Sequence, residues 1–562
     1  MRKYFGLIVL LLVAMIFNNG CKNSNNMEQK LVEFIKQHDA KVIPLFKEAN
    51  IAAWDASISG KPEDFKKEED LNMKINAIFS DKVAFKTLKE IKDANSIQDK
   101  TLKRELEILY NHFLGAQVDT AKLNAVTKLQ TQIEQKYGNF RATVNGKVLT
   151  DNQLEELLKT SVDSKELKEA WLAHKKIGAV VKDDLLKIVK MRNDIAKELG
   201  FNNYHEMSLK LDEQDPKEIE KIFDELDSLT RGSFADLKGE IDDNFSKRYS
   251  VDKKDLMPWH YQNRFFQEAP KLYKVDLDKY YAGKDLAELT KVYYKGIGMP
   301  CGDIIKHSDL LEKPGKNQHA FCTDIDHEGD VRVLCNIKPN AEWMGTMLHE
   351  FGHGVYFKYL DKSTPFVLRE PAHTFTTEAI AMFFGRQSSN PEWIQAMTGI
   401  SNDEKVKIAE DSHKKLRLDQ LVFSRWAQVM YRFEKAMYEN PDQDLNKLWW
   451  DLVERYQMLK RPADRNEPDY ASKIHLALYP CYYHNYLLGE MLASQLSYYI
   501  TEKVLKQTDL RAQSFANNPE IGKYLIDKVY KPGRTLYWND MIEQATGEKL
   551  TAKYYARQFV TK

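Results

Sequence analysis

His349-Glu350-Phe351-Gly352-His353, with Glu378 following 25 residues later, is the stretch on which the reading of this chain turns. It is an H-E-x-x-H motif. On an α-helix, side chains four residues apart project from one face, so both imidazoles can grip one ion. Met344, Met347, Leu348, Phe351 and Val355 recur around the motif at helical spacing. The segment therefore reads as a largely buried helix rather than a charged surface one. Two histidines and a glutamate on a buried face need partners, because unpaired buried polar groups are costly. Glu378 lies in Thr376-Thr377-Glu378-Ala379-Ile380-Ala381-Met382-Phe383, which reads as a second helix. His349, His353 and Glu378 form a three-ligand set that leaves a fourth position open, the pattern of catalytic rather than structural zinc. Glu350 sits a little round the helix, where it can take a proton from an attacking water.

The chain has 562 residues, with 25 glycines and 17 prolines, together well below the ~12% of average proteins. No repeat or Pro/Gly/Ser-rich linker interrupts residues 31–562. Long amphipathic stretches dominate, such as Lys165 to Leu199 and Leu445 to Leu459. The expectation is a mainly α, two-lobed single catalytic domain around a cleft. The 83 basic and 83 acidic residues cancel, so no nucleic-acid-binding surface is expected.

The first twenty residues read as a targeting segment. Arg2 and Lys3 precede an apolar run from Leu7 to Phe17, too short to span a bilayer comfortably. Gly20-Cys21 ends it, and a polar tether to residue 30 follows. Two readings are open: a bacterial lipoprotein signal with Cys21 lipidated, or an ordinary secretory signal with an incidental cysteine. Either implies export, and the first implies anchoring to the cell envelope through lipid alone. Cys322 and Cys335 flank Thr323 to Val333, whose alternation and Glu328-Gly329-Asp330 turn read as a hairpin. A cross-hairpin disulfide and two free buried thiols are both compatible with it. No cysteine has metal-site spacing.

Several ordered segments resemble the angiotensin-converting-enzyme-like peptidyl-dipeptidases. These are Ser308 to Pro314, Gln318-His319-Ala320-Phe321, Gly329 to Val333, the H-E-x-x-H motif, Glu378-Ala379-Ile380, Lys473-Ile474-His475, and Tyr483-His484-Asn485-Tyr486. Thimet-type oligopeptidases share the motif and the late glutamate and are the nearest alternative. A catalytically silent peptide-binding lipoprotein is a more distant one. The resemblance implies that the cleft is deep and that a small β-hairpin lies beside the motif helix. It also implies one Zn²⁺ per chain, peptide substrates with a free C-terminus, and release of dipeptides. It implies Glu350 as general base, His475 and Tyr486 as donors to the developing oxyanion, and His319 and Ala320 as a hairpin edge for substrate backbone. Lys473 and Tyr483 match residues that hold the substrate's terminal carboxylate.

The chain also departs from that pattern. His475 to Tyr486 is one residue longer, so a small insertion is expected before Tyr483. The family's carboxylate-binding glutamine has no clear counterpart, and Leu277 to Tyr281 offers Lys279 or a tyrosine instead. An arginine tied to chloride binding in vertebrate enzymes is Asn485 here. A supporting aspartate four residues past the third ligand is Met382.

Overall fold

The computed structural model describes residues 5–273 and 275–560, with side chains from residue 26 onward. Arg2, Lys3 and the Cys21 side chain, on which the leader reading rests, lie outside that description. Among the described residues there are 22 α-helices and two two-stranded sheets, so the fold is mainly α as read. No described helix is long and apolar enough to cross a membrane.

Three helices form the long spars: Ser164–Glu198, Pro216–Tyr249 and Asn402–Glu439. Each begins where its sequence supplies a cap. The side chains of Asp163, Asp215 and Ser401 accept from first-turn N–H groups that have no partner inside the helix. Pro216 follows Asp215 at the first helical position, where a missing N–H costs nothing. A continuous apolar core runs from Leu129 to Phe559. The N-terminal helices keep smaller cores of their own, one of them gathering Leu31, Leu88, Ile91, Leu109 and Phe113. The stretch read as a tether belongs to the helix Phe5–Ser59, and Met27 already packs against that small core.

The first hairpin pairs β1 (Ala142–Val144) with β2 (Lys147–Leu149). The second pairs β3 (Phe321–Asp324) with β4 (Val331–Leu334), with Cys322 opposite Val333. The far side of β4 is covered by Asp309, whose N–H donates to Val333 O and whose carbonyl accepts from Cys335 N–H, both at 2.9 Å. The outer edge of β3 pairs with no described strand. Trp54 of the N-terminal helix packs with Ile325 and Leu334. Asn50 Nδ2 donates to the carbonyls of Asp324 and Ile325 at 3.2 Å. The N-terminal helix is thereby tied to the hairpin that flanks the site.

Candidate active site

The motif forms the middle of the helix Ala341–Lys358, capped by Asn340, whose side chain accepts from Trp343 N–H. Met344, Met347, Leu348, Phe351 and Val355 are fully buried, which is the apolar face expected from their spacing. Each such side chain stabilises the helix's position by about 1.5–3 kcal/mol. The helix Thr374–Gly385 lies against it and carries Glu378. Their close approach depends on Gly352, where a Cβ would fall 2.9 Å from Ala381 Cα. A third helix, His484–Tyr499, packs on the Glu378 helix through Gly489, where a Cβ would meet Met382 Sδ at 3.1 Å and Glu378 Cβ at 3.3 Å.

This packing brings His349, His353 and Glu378 together, with one ligand atom from each inside a 4.8 Å cluster. Glu378 Oε2 lies 3.6 Å from His349 Nε2 and 3.9 Å from His353 Nε2. His353 Nδ1 meets Thr377 Oγ1 at 2.7 Å, so its Nε2 is the nitrogen that faces the carboxylate. Burial lowers His349 to about 4, and lowers His353 well below its ordinary value with help from His349, so both rings are neutral at pH 7. Burial, then the charge of Glu490, pushes Glu378 up to about 7. Two neutral imidazoles converging on a carboxylate that lacks a nearby cation fit a single divalent ion.

Glu350 is buried on the same helix. Burial, then the Glu378 charge, pushes it up to about 8. Cys322 and Cys335 flank it as free thiols, both raised first by burial and then by the Glu350 charge. His319 is exposed and Ala320 half-buried, immediately before β3 at its unpaired edge. His319 N–H is held by Asn317 Oδ1 at 3.0 Å.

The remaining residues singled out from sequence converge on one cavity of about 660 Å³. Lys473, His475, Tyr483, Tyr486 and Met382 all line it. Lys473 is buried, and its Nζ sits 5.3–5.5 Å from the ring centres of Phe265, Trp426 and Tyr483. Burial, then repulsion from Arg264, lowers it to about 7. Tyr483 Oη accepts from Trp426 Nε1 at 2.8 Å. The His475 and Tyr483 rings lie 5.2 Å apart, and those of Tyr483 and Tyr486 5.5 Å apart. Burial, then Lys473, lowers His475 to about 4, and its Nδ1 is buried without a partner. Tyr486 is raised by burial and then by the Glu378 charge. Tyr482, not singled out from sequence, packs on Tyr486 at 5.2 Å.

Two sequence expectations change. Lys279 and its tyrosine neighbours do not reach this cavity. Lys279 Nζ and Tyr280 Oη both bind Glu404, at 3.0 and 2.7 Å, and Tyr281 Oη donates to Ser388 O. The amide beside Lys473 is Gln267, whose Oε1 accepts from Lys473 Nζ at 2.5 Å. Gln267 was missed because it lies in chain without helix or strand, where no period marks it. Its neighbours are fixed from afar: Gln457 Nε2 donates to Phe265 O and Phe266 O at 3.0 and 2.9 Å. Near Met382, Glu490 lines the same cavity and is ion-paired with Arg386.

Between His475 and Tyr486, Cys481 adopts a left-handed φ of 57°. Its N–H donates to the buried Glu434 at 2.8 Å. Arg192 Nη2 donates to Ala477 O at 2.8 Å. Asn485 Oδ1 accepts from Gln214 Nε2 at 2.8 Å, and His484 Nε2 meets Gln214 Oε1 at 2.6 Å. The segment is thus pinned at several points between the two catalytic candidates.

The chain is 23% identical to an angiotensin-converting enzyme of Theromyzon tessulatum, covering 72% of this chain and 70% of that one. It is 22% identical to the angiotensin-converting enzyme of Mus musculus over 93% of this chain and 42% of that one. A protein of Mus musculus named angiotensin-converting enzyme-like protein Ace3 is 23% identical over 80% of this chain and 64% of its own. The chain thus spans about two fifths of the Mus musculus angiotensin-converting enzyme it matches. Residues 25–559 match the family model for angiotensin-converting enzyme, peptidase M2, and the chain belongs to that family.

Proposed function

We propose that this protein is a zinc-dependent peptidase that removes dipeptides from the free C-termini of peptides. The observation that carries it is the convergence of Lys473, Gln267 and Tyr483 with His475 and Tyr486 on one cavity, whose wall residue Met382 stands on the helix that carries Glu378 of the His349, His353 and Glu378 cluster. His349 and His353 would hold the ion through Nε2, and Glu378 through a carboxylate oxygen. Bound there, Zn²⁺ supplies Lewis acidity, polarising a carbonyl and making water a better nucleophile.

Glu350 takes the proton of the attacking water and later passes it to the leaving amine. His475 is neutral at pH 7 and offers an N–H to the oxyanion as it develops, and Tyr486 offers its O–H. The unpaired edge of β3, entered at His319 and Ala320, hydrogen-bonds an extended substrate as an added strand. Lys473 supplies a point charge, and the Gln267 amide and Tyr483 hydroxyl supply donors, for the terminal carboxylate. A carboxylate held at one end of the cavity fixes which peptide bond reaches Glu350.

The test compares one peptide as free acid and as C-terminal amide, with the first product identified by mass. The amide leaves Lys473 without its counter-charge, so kcat/KM falls about ten- to a hundredfold. Equal rates, or internal cuts without preference for the penultimate bond, would replace this reading with a looser oligopeptidase. Export with lipid attached at Cys21 is proposed from the leader composition alone. A lipid-labelled product that vanishes in Cys21→Ala supports it, and an unlabelled, freely secreted wild type refutes it.

A further inference from the structure

On the other side of Arg386 from the catalytic cavity lies a second cavity of about 310 Å³. Its walls carry Arg386, Arg417, Arg511 and Arg557, against one carboxylate, Asp509. Arg386 and Arg557 have acidic partners outside this lining, Glu490 and Glu502. Arg417 and Arg511 have no carboxylate within 4 Å among the described residues. Arg417 uses only its Nε, donating to Phe559 O at 2.9 Å. Asp509 Oδ1 accepts from the Arg511 main-chain N–H at 2.9 Å and makes no ion pair with the Arg511 guanidinium. Burial, then repulsion from Arg511, lowers His413 on the same wall, so it adds donors or acceptors but no counter-charge.

Two buried polar atoms of the lining also lack partners. Arg386 Nε is buried without a partner, on a side chain only 9% exposed. Ser412 Oγ, on a residue 2% exposed, is likewise buried without a partner. An unmade hydrogen bond at a buried donor costs more than an average bond contributes, and a guanidinium cannot escape by losing its proton. Several guanidinium forks and a hydroxyl around one void form a site for a group made of acceptors with negative charge.

We propose that this cavity binds a small multivalent oxyanion, either a phosphate or a compact polycarboxylate, at Arg417 and Arg511 with Arg386 Nε and Ser412 Oγ as further donors. Arg386 forms the partition between the two cavities, since its other guanidinium nitrogens contact Glu490 and Ser494. The site does not depend on the peptidase reading, because none of these side chains lies in the proposed catalytic set.

The test is isothermal titration calorimetry of the mature full-length protein with inorganic phosphate and, separately, citrate, at fixed ionic strength set by a monovalent salt. Saturable binding of either is expected. Phosphate alone points to a phosphate-bearing ligand, and citrate alone to a polycarboxylate. Arg511→Ala, on an exposed side chain, and Arg417→Gln should each weaken binding at least about tenfold while peptide hydrolysis stays near wild type. That retained hydrolysis shows the variants are folded. Absence of saturable binding of both anions, or binding unchanged in both variants, overturns the proposal.

Discussion

His349, His353 and Glu378 stand on two helices that touch along their length, whereas Gln267, Lys473 and Tyr483 stand on chain that is irregular or lies at the end of an element. In the first group, helical repeat and the Gly352 contact set every distance at once. In the second, each position is held by its own few bonds: Gln457 for the chain before Gln267, Trp426 for Tyr483, Glu434 and Arg192 for the loop after His475. The first half should therefore fail as a unit when a ligand is removed. The second should lose affinity in steps. Substitutions on the two sides test that contrast.

The largest effects belong to the helix-built side. His349→Ala or His353→Ala is expected to abolish both bound zinc and hydrolysis, read by metal analysis alongside turnover. Glu350→Gln is expected to keep the metal and lower kcat by on the order of 10²–10⁴, because the amide cannot accept the proton. Zinc retained at full occupancy in a double alanine variant of the two histidines would remove them as ligands. Near-normal turnover in Glu350→Gln would remove Glu350 as base.

His475 lies between the two halves and should behave accordingly. In the proposed mechanism its ring donates to charge that forms only during reaction, so His475→Ala is expected to cut kcat by on the order of 10²–10³ with little change in KM. A change in KM alone would move His475 to the substrate-holding side.

The same contrast explains what could be read from the sequence. Met344, Met347, Leu348, Phe351 and Val355 announce a buried helix by period alone, and the four-residue histidine spacing carries its geometry with it. Lys473, His475, Tyr483 and Tyr486 share no period. They were placed by resemblance, and the structure brings them to one cavity. Gln267 escaped both routes. Phe266 before it has a left-handed φ of 51°, and its carbonyl is held by Gln457, far along the chain. Such a position is a product of long-range packing, and Lys279, nearer the expected place in sequence, is spent on Glu404 at the surface.

Lys473 gives a pH signature to the irregular half. Burial and Arg264 hold it at about 7 without substrate, so its charge is lost as pH rises through 7. For a free-acid peptide, kcat/KM should fall along that limb. The amide of the same peptide does not need the charge and should show a flatter profile. Lys473→Arg keeps a positive charge throughout and should remove the difference in shape. Parallel profiles for acid and amide in the wild type would separate Lys473 from the carboxylate.

The smallest expected effect is at Gln267, and it is the most specific. Its amide oxygen now accepts from Lys473, and its NH₂ is free to turn towards a bound carboxylate. Loss of one neutral hydrogen-bond donor from a site that keeps its cation is worth about 0.5–1.5 kcal/mol, or roughly two- to tenfold in kcat/KM. Gln267→Ala should place that loss in KM, because the bond is present before and during reaction alike. The loss should also depend on the substrate's end group. With a free-acid peptide it is the full two- to tenfold, and with the amide it should nearly disappear, since the partner group is gone. Measuring both substrates on both proteins closes a cycle whose coupling isolates the Gln267–carboxylate contact from any general loosening of the loop. Equal losses on acid and amide would mean that Gln267 only positions Lys473, and the irregular half would then hold its substrate through Lys473 and Tyr483 alone.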